Sequence, residues 1–150
     1  MIALKILLMM GCAELWYQGG QSGRAWMRDV LITILMGAWI GYVTVWWIGI
    51  ISVGSFNIIR IGYGVPDESD EGSLLGRIFK KPWLVRGVAG GLYGLVGLLP
   101  FVVYTQQYHI YLCYASLNFA INSIGEALAI HHEVWDRVRG LVIGSIVFLI

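Results

Sequence analysis

Residues 30–53 read VLITILMGAWIGYVTVWWIGIISV, and the fold turns on this stretch. Its 24 residues carry no charge, and the uncharged run continues to Ile59. A helix needs about 20 predominantly apolar residues to cross a hydrocarbon core of ~30 Å. The stretch therefore predicts one membrane-spanning helix over 30–53. Trp26 precedes it and Trp46 and Trp47 lie near its later end, where interfacial aromatic anchors belong. The competing reading is a helix buried in a soluble core. The whole chain argues against that: 58% of its residues are hydrophobic, 13% are charged, and the mean hydropathy is +0.74. Soluble domains carry about 25% charged residues. A sphere of 150 residues cannot hide that much apolar surface, whereas a lipid solvent has no need to.

Outward from this stretch, two further segments have spanning length. Residues 84–104 open after Trp83 and close at Tyr104, with Pro100 expected to kink them near the outer end. Residues 110–130 follow the short polar connection Thr105-Gln106-Gln107-Tyr108-His109, which predicts an antiparallel helical hairpin. The two ends are shorter. Residues 2–17 are apolar apart from Lys5 and Glu14, and read as a short spanning or interfacial helix. Gly11-Cys12 faintly suggests a lipoprotein cleavage site, but the apolar core before it is too brief for a signal segment. Residues 134–150 can nearly cross if Arg137 and Arg139 snorkel to the surface. The expected architecture is all-α: a polytopic membrane helix bundle of four to five transmembrane helices in a single domain spanning 1–150.

Basic residues set the orientation. With the loop 54–82 in the cytoplasm, Lys5, Arg60, Arg77, Lys80, Lys81, Arg86, Arg137 and Arg139 lie inside, and only Arg24 and Arg28 outside. This places the amino terminus in the cytoplasm. The loop is the main polar element. It holds the acidic run Asp67-Glu68-Ser69-Asp70-Glu71, and residues 73–79 are able to form an amphipathic turn on the membrane surface. The net charge of +1 argues against a nucleic-acid footprint, as no basic face stands out.

The most pointed constellation lies on residues 110–130. Asn118, Asn122 and Glu126 recur every fourth residue and share one helix face. Groups this polar do not face lipid without cost, so they look into the bundle. They form either a polar path or, more plainly, helix–helix glue by hydrogen bonding. Arg86 and Glu126 lie at matching depths in the expected hairpin and are predicted to pair. Gly87, Gly90, Gly91, Gly94 and Gly97 line one helix, and Gly37 and Gly41, with Thr44 and Ser52, line another. Such stripes allow close helix packing, within the chain or between copies in a homo-oligomer.

Other signals are weaker. The turn Gly19-Gly20-Gln21-Ser22-Gly23-Arg24, with Arg28, offers contact to a phosphate or lipid head group, but it lacks the strand and the Lys-Ser/Thr pair of a nucleotide loop. The acidic run lacks the ligand alternation of a calcium hand. His131, His132, Glu133 and Asp136 do not complete a metal site. Cys12 and Cys113 sit in apolar runs and read as small buried hydrophobes. No cofactor, metal or catalytic set is expected.

Several stretches together resemble small multi-pass membrane proteins encoded by tailed phages and prophages. They are the Gly-Gly-x-Ser-Gly-Arg turn at 19–24, Arg28-Asp29 before a Trp-rich helix, residues 57–64 before an acidic loop, Leu74-Leu75-Gly76-Arg77-Ile78, and the ending GSIVFLI at 144–150. The resemblance covers most of the chain. It implies a bacterial inner-membrane setting and no catalytic residues. The function expected is non-enzymatic, acting through helix packing and assembly, with the lipid bilayer as partner. The alternatives are a small channel or transporter component using the polar face of 110–130, and a membrane enzyme acting on lipid head groups.

Overall fold

The computed structural model describes residues 1–63, 77–128 and 133–150. The acidic run 67–71, most of the turn at 73–79, and His131 and His132 fall outside them. Every regular element among the described residues is helical. In chain order these are α1 (Ile2–Gln21), α2 (Ala25–Val43), α3 (Trp46–Tyr63), α4 (Pro82–Gly97), α5 (Leu99–Thr105), α6 (Tyr108–Ala127) and α7 (Glu133–Leu149).

The main departure from expectation lies in the deciding stretch. Residues 30–53 do not form one helix: α2 ends at Val43 and α3 begins at Trp46. Val43-Thr44-Val45 is a run of three β-branched residues, whose side chains lose χ1 freedom in a helix. Thr44 leaves helical geometry at φ −120° and ψ −106°. Its Oγ1 donates to the Ile40 carbonyl at 2.5 Å, and its N–H donates to the same oxygen at 3.0 Å. The chain then turns back on itself. A Cβ built on Gly37 would meet Val53, and one on Gly41 would lie 3.3 Å from Trp46 Cα. A Cβ on Gly49 would run into the Gly37 carbonyl oxygen, and would sit 2.9 Å from the Gly41 backbone. The α2–α3 pair is therefore an antiparallel hairpin closed by glycines.

The other elements lie close to the expected ranges. α1 runs on to Gln21, and Gly23 takes a positive φ of 68° in the turn after it. Between α4 and α5 the axis bends by 43°. Pro100 falls in the first turn of α5, where its missing N–H costs nothing, so the helix restarts there rather than continuing. Gln106 takes φ 60° in the turn before α6, and its side chain accepts a bond from the Tyr108 hydroxyl at 2.7 Å.

By length and composition, one helix is able to cross a membrane, with its window at Trp26–Val43. Counting the bent pair α4–α5 as one span raises this to two, and Trp46–Ile58 is a shorter apolar helix.

The chain forms two compact units where a single one was expected. One comprises Met1–Val53 with His131–Ile150, the other Gly54–Ile130. In the first, α1 packs antiparallel against α7. Gly140 lies against the backbone of Cys12 and Ala13 and against Trp16, and Gly144 lies against Cys12. Cys12, Ile32, Met36, Ile40, Val147 and Phe148 are buried there, with Trp39 edge-on to Phe148. In the second, α4 packs antiparallel on α6, and the Phe56 ring fills the space beside Gly97 and lies tilted against the Tyr93 ring.

Candidate functional site

The α4–α6 seam brings together the polar residues singled out from the sequence. Asn118 is buried, and its Nδ2 donates to the Tyr114 carbonyl at 2.9 Å. Asn122 Nδ2 donates to the Asn118 carbonyl at 2.7 Å. Each amide thus bonds back one turn along its own helix, a pattern open to polar side chains that face a packed neighbour rather than water. That neighbour is the glycine edge of α4. A Cβ on Gly90 would come within 2.5 Å of Asn122 Nδ2 and 2.8 Å of the Asn118 carbonyl oxygen. A Cβ on Gly94 would come within 3.0 Å of Ala115 Cα, and one on Gly87 would collide with Ser123 Oγ. Ser123 Oγ donates across the seam to the Trp83 carbonyl at 3.2 Å.

One helical turn further along α6, Glu126 meets Arg86 as its depth predicted. Arg86 Nε lies 2.9 Å from Glu126 Oε2, with the two side chains 23% and 29% exposed. This ion pair, mostly shielded from water, holds α4 and α6 in register.

The glycines on this seam are not equivalent. At Gly91 an added methyl would meet Phe119 Cβ at 3.5 Å, an ordinary contact, whereas at Gly90 it would press on backbone. Gly91→Ala is expected to be neutral or to stabilise by up to ~1 kcal/mol through helix propensity. Gly90→Ala is expected to lose about 1–3 kcal/mol by overpacking. Thermal unfolding of the two variants in detergent checks this, and equal midpoints would contradict the packing described.

The second group of polar residues lies in the other unit, where α1 ends and α7 begins. Arg28 was expected to contact head groups. Instead it is buried, pairs with Asp29 at 2.9 Å, and lays its guanidinium 3.9 Å from the centroid of Trp16. Gly19 leaves room for the stem of Arg28, which a Cβ there would strike. Its charge is used within the fold, because a buried guanidinium requires a carboxylate beside it. Arg24 remains exposed ahead of α2. Arg137 and Arg139 do not simply snorkel. Arg137 bonds Glu14 at 3.1 Å and Glu133 at 2.9 Å and covers the Tyr17 ring at 4.0 Å. Arg139 approaches Asp136 at 4.0 Å and the Trp16 ring at 5.5 Å.

Sequence reasoning missed Gly49, Gly140, Gly144 and the stacking on Trp16. Gly49 was legible only to a reader who split the apolar run at Thr44. The signal for Gly140 and Gly144 is their spacing of four residues, which goes unnoticed when the last helix is short.

Chemically, the seam offers hydrogen bonds and one ion pair. The Ser123 hydroxyl is spent on a backbone carbonyl. Among the described residues no group of three or more His, Cys, Asp and Glu is placed to hold a metal ion. No known protein family, curated protein or solved structure matches this chain.

Proposed function

We propose that the chain is a non-enzymatic integral membrane protein that acts through helix packing, with six crossings whose charges gather on one side. It fits the bacterial inner-membrane setting of the phage-type proteins it resembles. The observation that carries this reading is the break at Thr44. With α2 and α3 as separate crossings, α4–α5 as one bent crossing, and α1, α6 and α7 as the rest, the connections alternate sides. The α1–α2, α3–α4 and α6–α7 connections then share a side. Arg24, Arg28, Arg60, Arg77, Lys80, Lys81, Arg86, Arg137 and Arg139 fall at that side, as do all nine carboxylates. Lys5 alone falls at the other. The single-helix reading of 30–53 left two arginines on the wrong side, and the hairpin removes that conflict. By the positive-inside rule the charged side is cytoplasmic and the amino terminus lies outside, the reverse of the orientation expected from the sequence.

Helix lengths agree with this. α1 and α6 have 20 residues each and α3 has 18, enough for about 30 Å at ~1.5 Å per residue. Polar groups that lower the hydropathy of α1 and α6 are ones the fold pairs: Glu14 with Arg137, Glu126 with Arg86, Asn118 with backbone. Two aromatic belts flank the apolar band. Tyr42, Trp46, Tyr104 and Tyr108 lie towards the uncharged side, and Trp26 and Trp83 towards the charged one, all of them exposed. The close packing of Asn118 and Asn122 on glycine backbone favours the packing role over a solute path.

Cysteine accessibility in intact cells tests the reading. In a background of Cys12→Ala and Cys113→Ser, single cysteines replace Ser22, Thr44 or Ile78. Thr44→Cys is expected to react with an impermeant maleimide from outside, and Ser22→Cys and Ile78→Cys only after permeabilisation. Protection of Ser22 and Ile78 on opposite sides would restore the single helix and overturn the six-crossing arrangement.

A further inference from the structure

We propose that the segment from Arg77 to Trp83 is a docking surface for anionic phospholipid head groups; this rests on the six-crossing reading. Several cationic side chains at the charged side are engaged by the chain's own carboxylates. Arg28 is held by Asp29, Arg86 by Glu126, and Arg137 by Glu14 and Glu133. Arg77, Lys80 and Lys81, by contrast, are exposed within five residues of one another.

Their neighbours suit a membrane surface. Ile78 is 61% exposed and Trp83 38% exposed, a large aliphatic and an indole beside three cations. This is the composition of an interfacial anchor: an apolar body at the acyl boundary with charges at the phosphate level. α4 begins at once, with Pro82 at its first position and Lys81 as N-cap without a side-chain capping bond. The cations thus sit within a turn or two of where α4 enters the bilayer. Lipid phosphates lie there within the Debye length of about 10 Å, so attraction is weakly screened. The positive end of α4 adds to it. A soluble acidic partner has no claim on the apolar residues between the charges, whereas a lipid satisfies both.

The test uses the full chain reconstituted in phosphatidylcholine vesicles with a small fraction of spin-labelled phosphatidylglycerol or spin-labelled phosphatidylcholine. The fraction of motionally restricted label gives the relative association of the two lipids. A cation near an anionic surface contributes roughly fivefold, so with three cations a preference of at least about fivefold for phosphatidylglycerol is expected. It should fall towards unity in the triple variant Arg77→Gln, Lys80→Gln, Lys81→Gln and in 0.5 M salt, where the Debye length falls to roughly 4 Å. Arg24→Gln, which removes an exposed cation at the same side, should leave most of it.

No preference in the unaltered chain overturns the proposal, as does a preference that survives the triple variant. So does one that appears only when Asp67, Glu68, Asp70 and Glu71 are neutralised, since the cations would then serve the chain's own acidic run. Failure of the underlying reading looks different: the chain would then be stripped from the vesicles by alkaline carbonate. A chain that stays embedded yet shows no lipid preference refutes the docking surface alone.

Discussion

Gly49→Leu is expected to open the α2–α3 hairpin and lower stability by about 3 kcal/mol, at the upper end of ordinary overpacking penalties. The atoms that its first carbon would meet are the Gly37 carbonyl oxygen and the Gly41 backbone. Backbone atoms of a helix cannot rotate away as a flexible side chain can, so the two helices must separate. Separation in turn costs the contacts that Gly37 and Gly41 allow along the same edge. Gly54 is the internal control. It lies five residues along the same helix, is exposed, and has nothing within 4 Å of a built Cβ. Gly54→Leu is therefore expected to be neutral or slightly stabilising through helix propensity. Thermal unfolding in detergent compares them directly. If 30–53 were one straight helix, Gly49 would be no more constrained than Gly54, and the two variants would melt alike.

The second large effect concerns Arg86 and Glu126. Glu126→Ala leaves a guanidinium less than a quarter exposed with its carboxylate gone. Removing one member of a fully buried pair costs about 3–5 kcal/mol; the partial exposure here brings the expectation to about 2–3 kcal/mol. Arg86→Leu with Glu126→Leu removes both charges and is expected to recover most of that loss, since apolar replacement of both partners is often neutral. The double-mutant cycle gives the coupling. A double variant as unstable as the sum of the singles would mean that the two side chains do not depend on each other, and the seam would lose its register pin.

Much of the α4–α6 seam was legible in the sequence because its signals are local. The four-residue recurrence of Asn118, Asn122 and Glu126 fixes a face whatever the surroundings, and Arg86 is matched to Glu126 by counting inward from the cytoplasmic ends of the two helices. Pro100 announces its own bend, since a missing N–H cannot be supplied from elsewhere. The fate of Arg28 was not legible. Whether a guanidinium reaches solvent or stacks on an indole depends on what α1 and α7 place beside it, and Trp16 lies twelve residues earlier in the chain.

The stretch 30–53 marks the boundary most clearly. By itself the sequence determined that these residues are helical and apolar, because an uncharged run of that length has few other ways to satisfy its backbone. It did not determine that they are two helices. Hydropathy and charge are blind to a two-residue turn placed between apolar flanks, and the β-branched run at 43–45 only weakens the helix there. The tertiary structure decided the break, because only the return of α3 along α2 gives Gly37, Gly41 and Gly49 the close backbone approach that offsets the lost helical bonds.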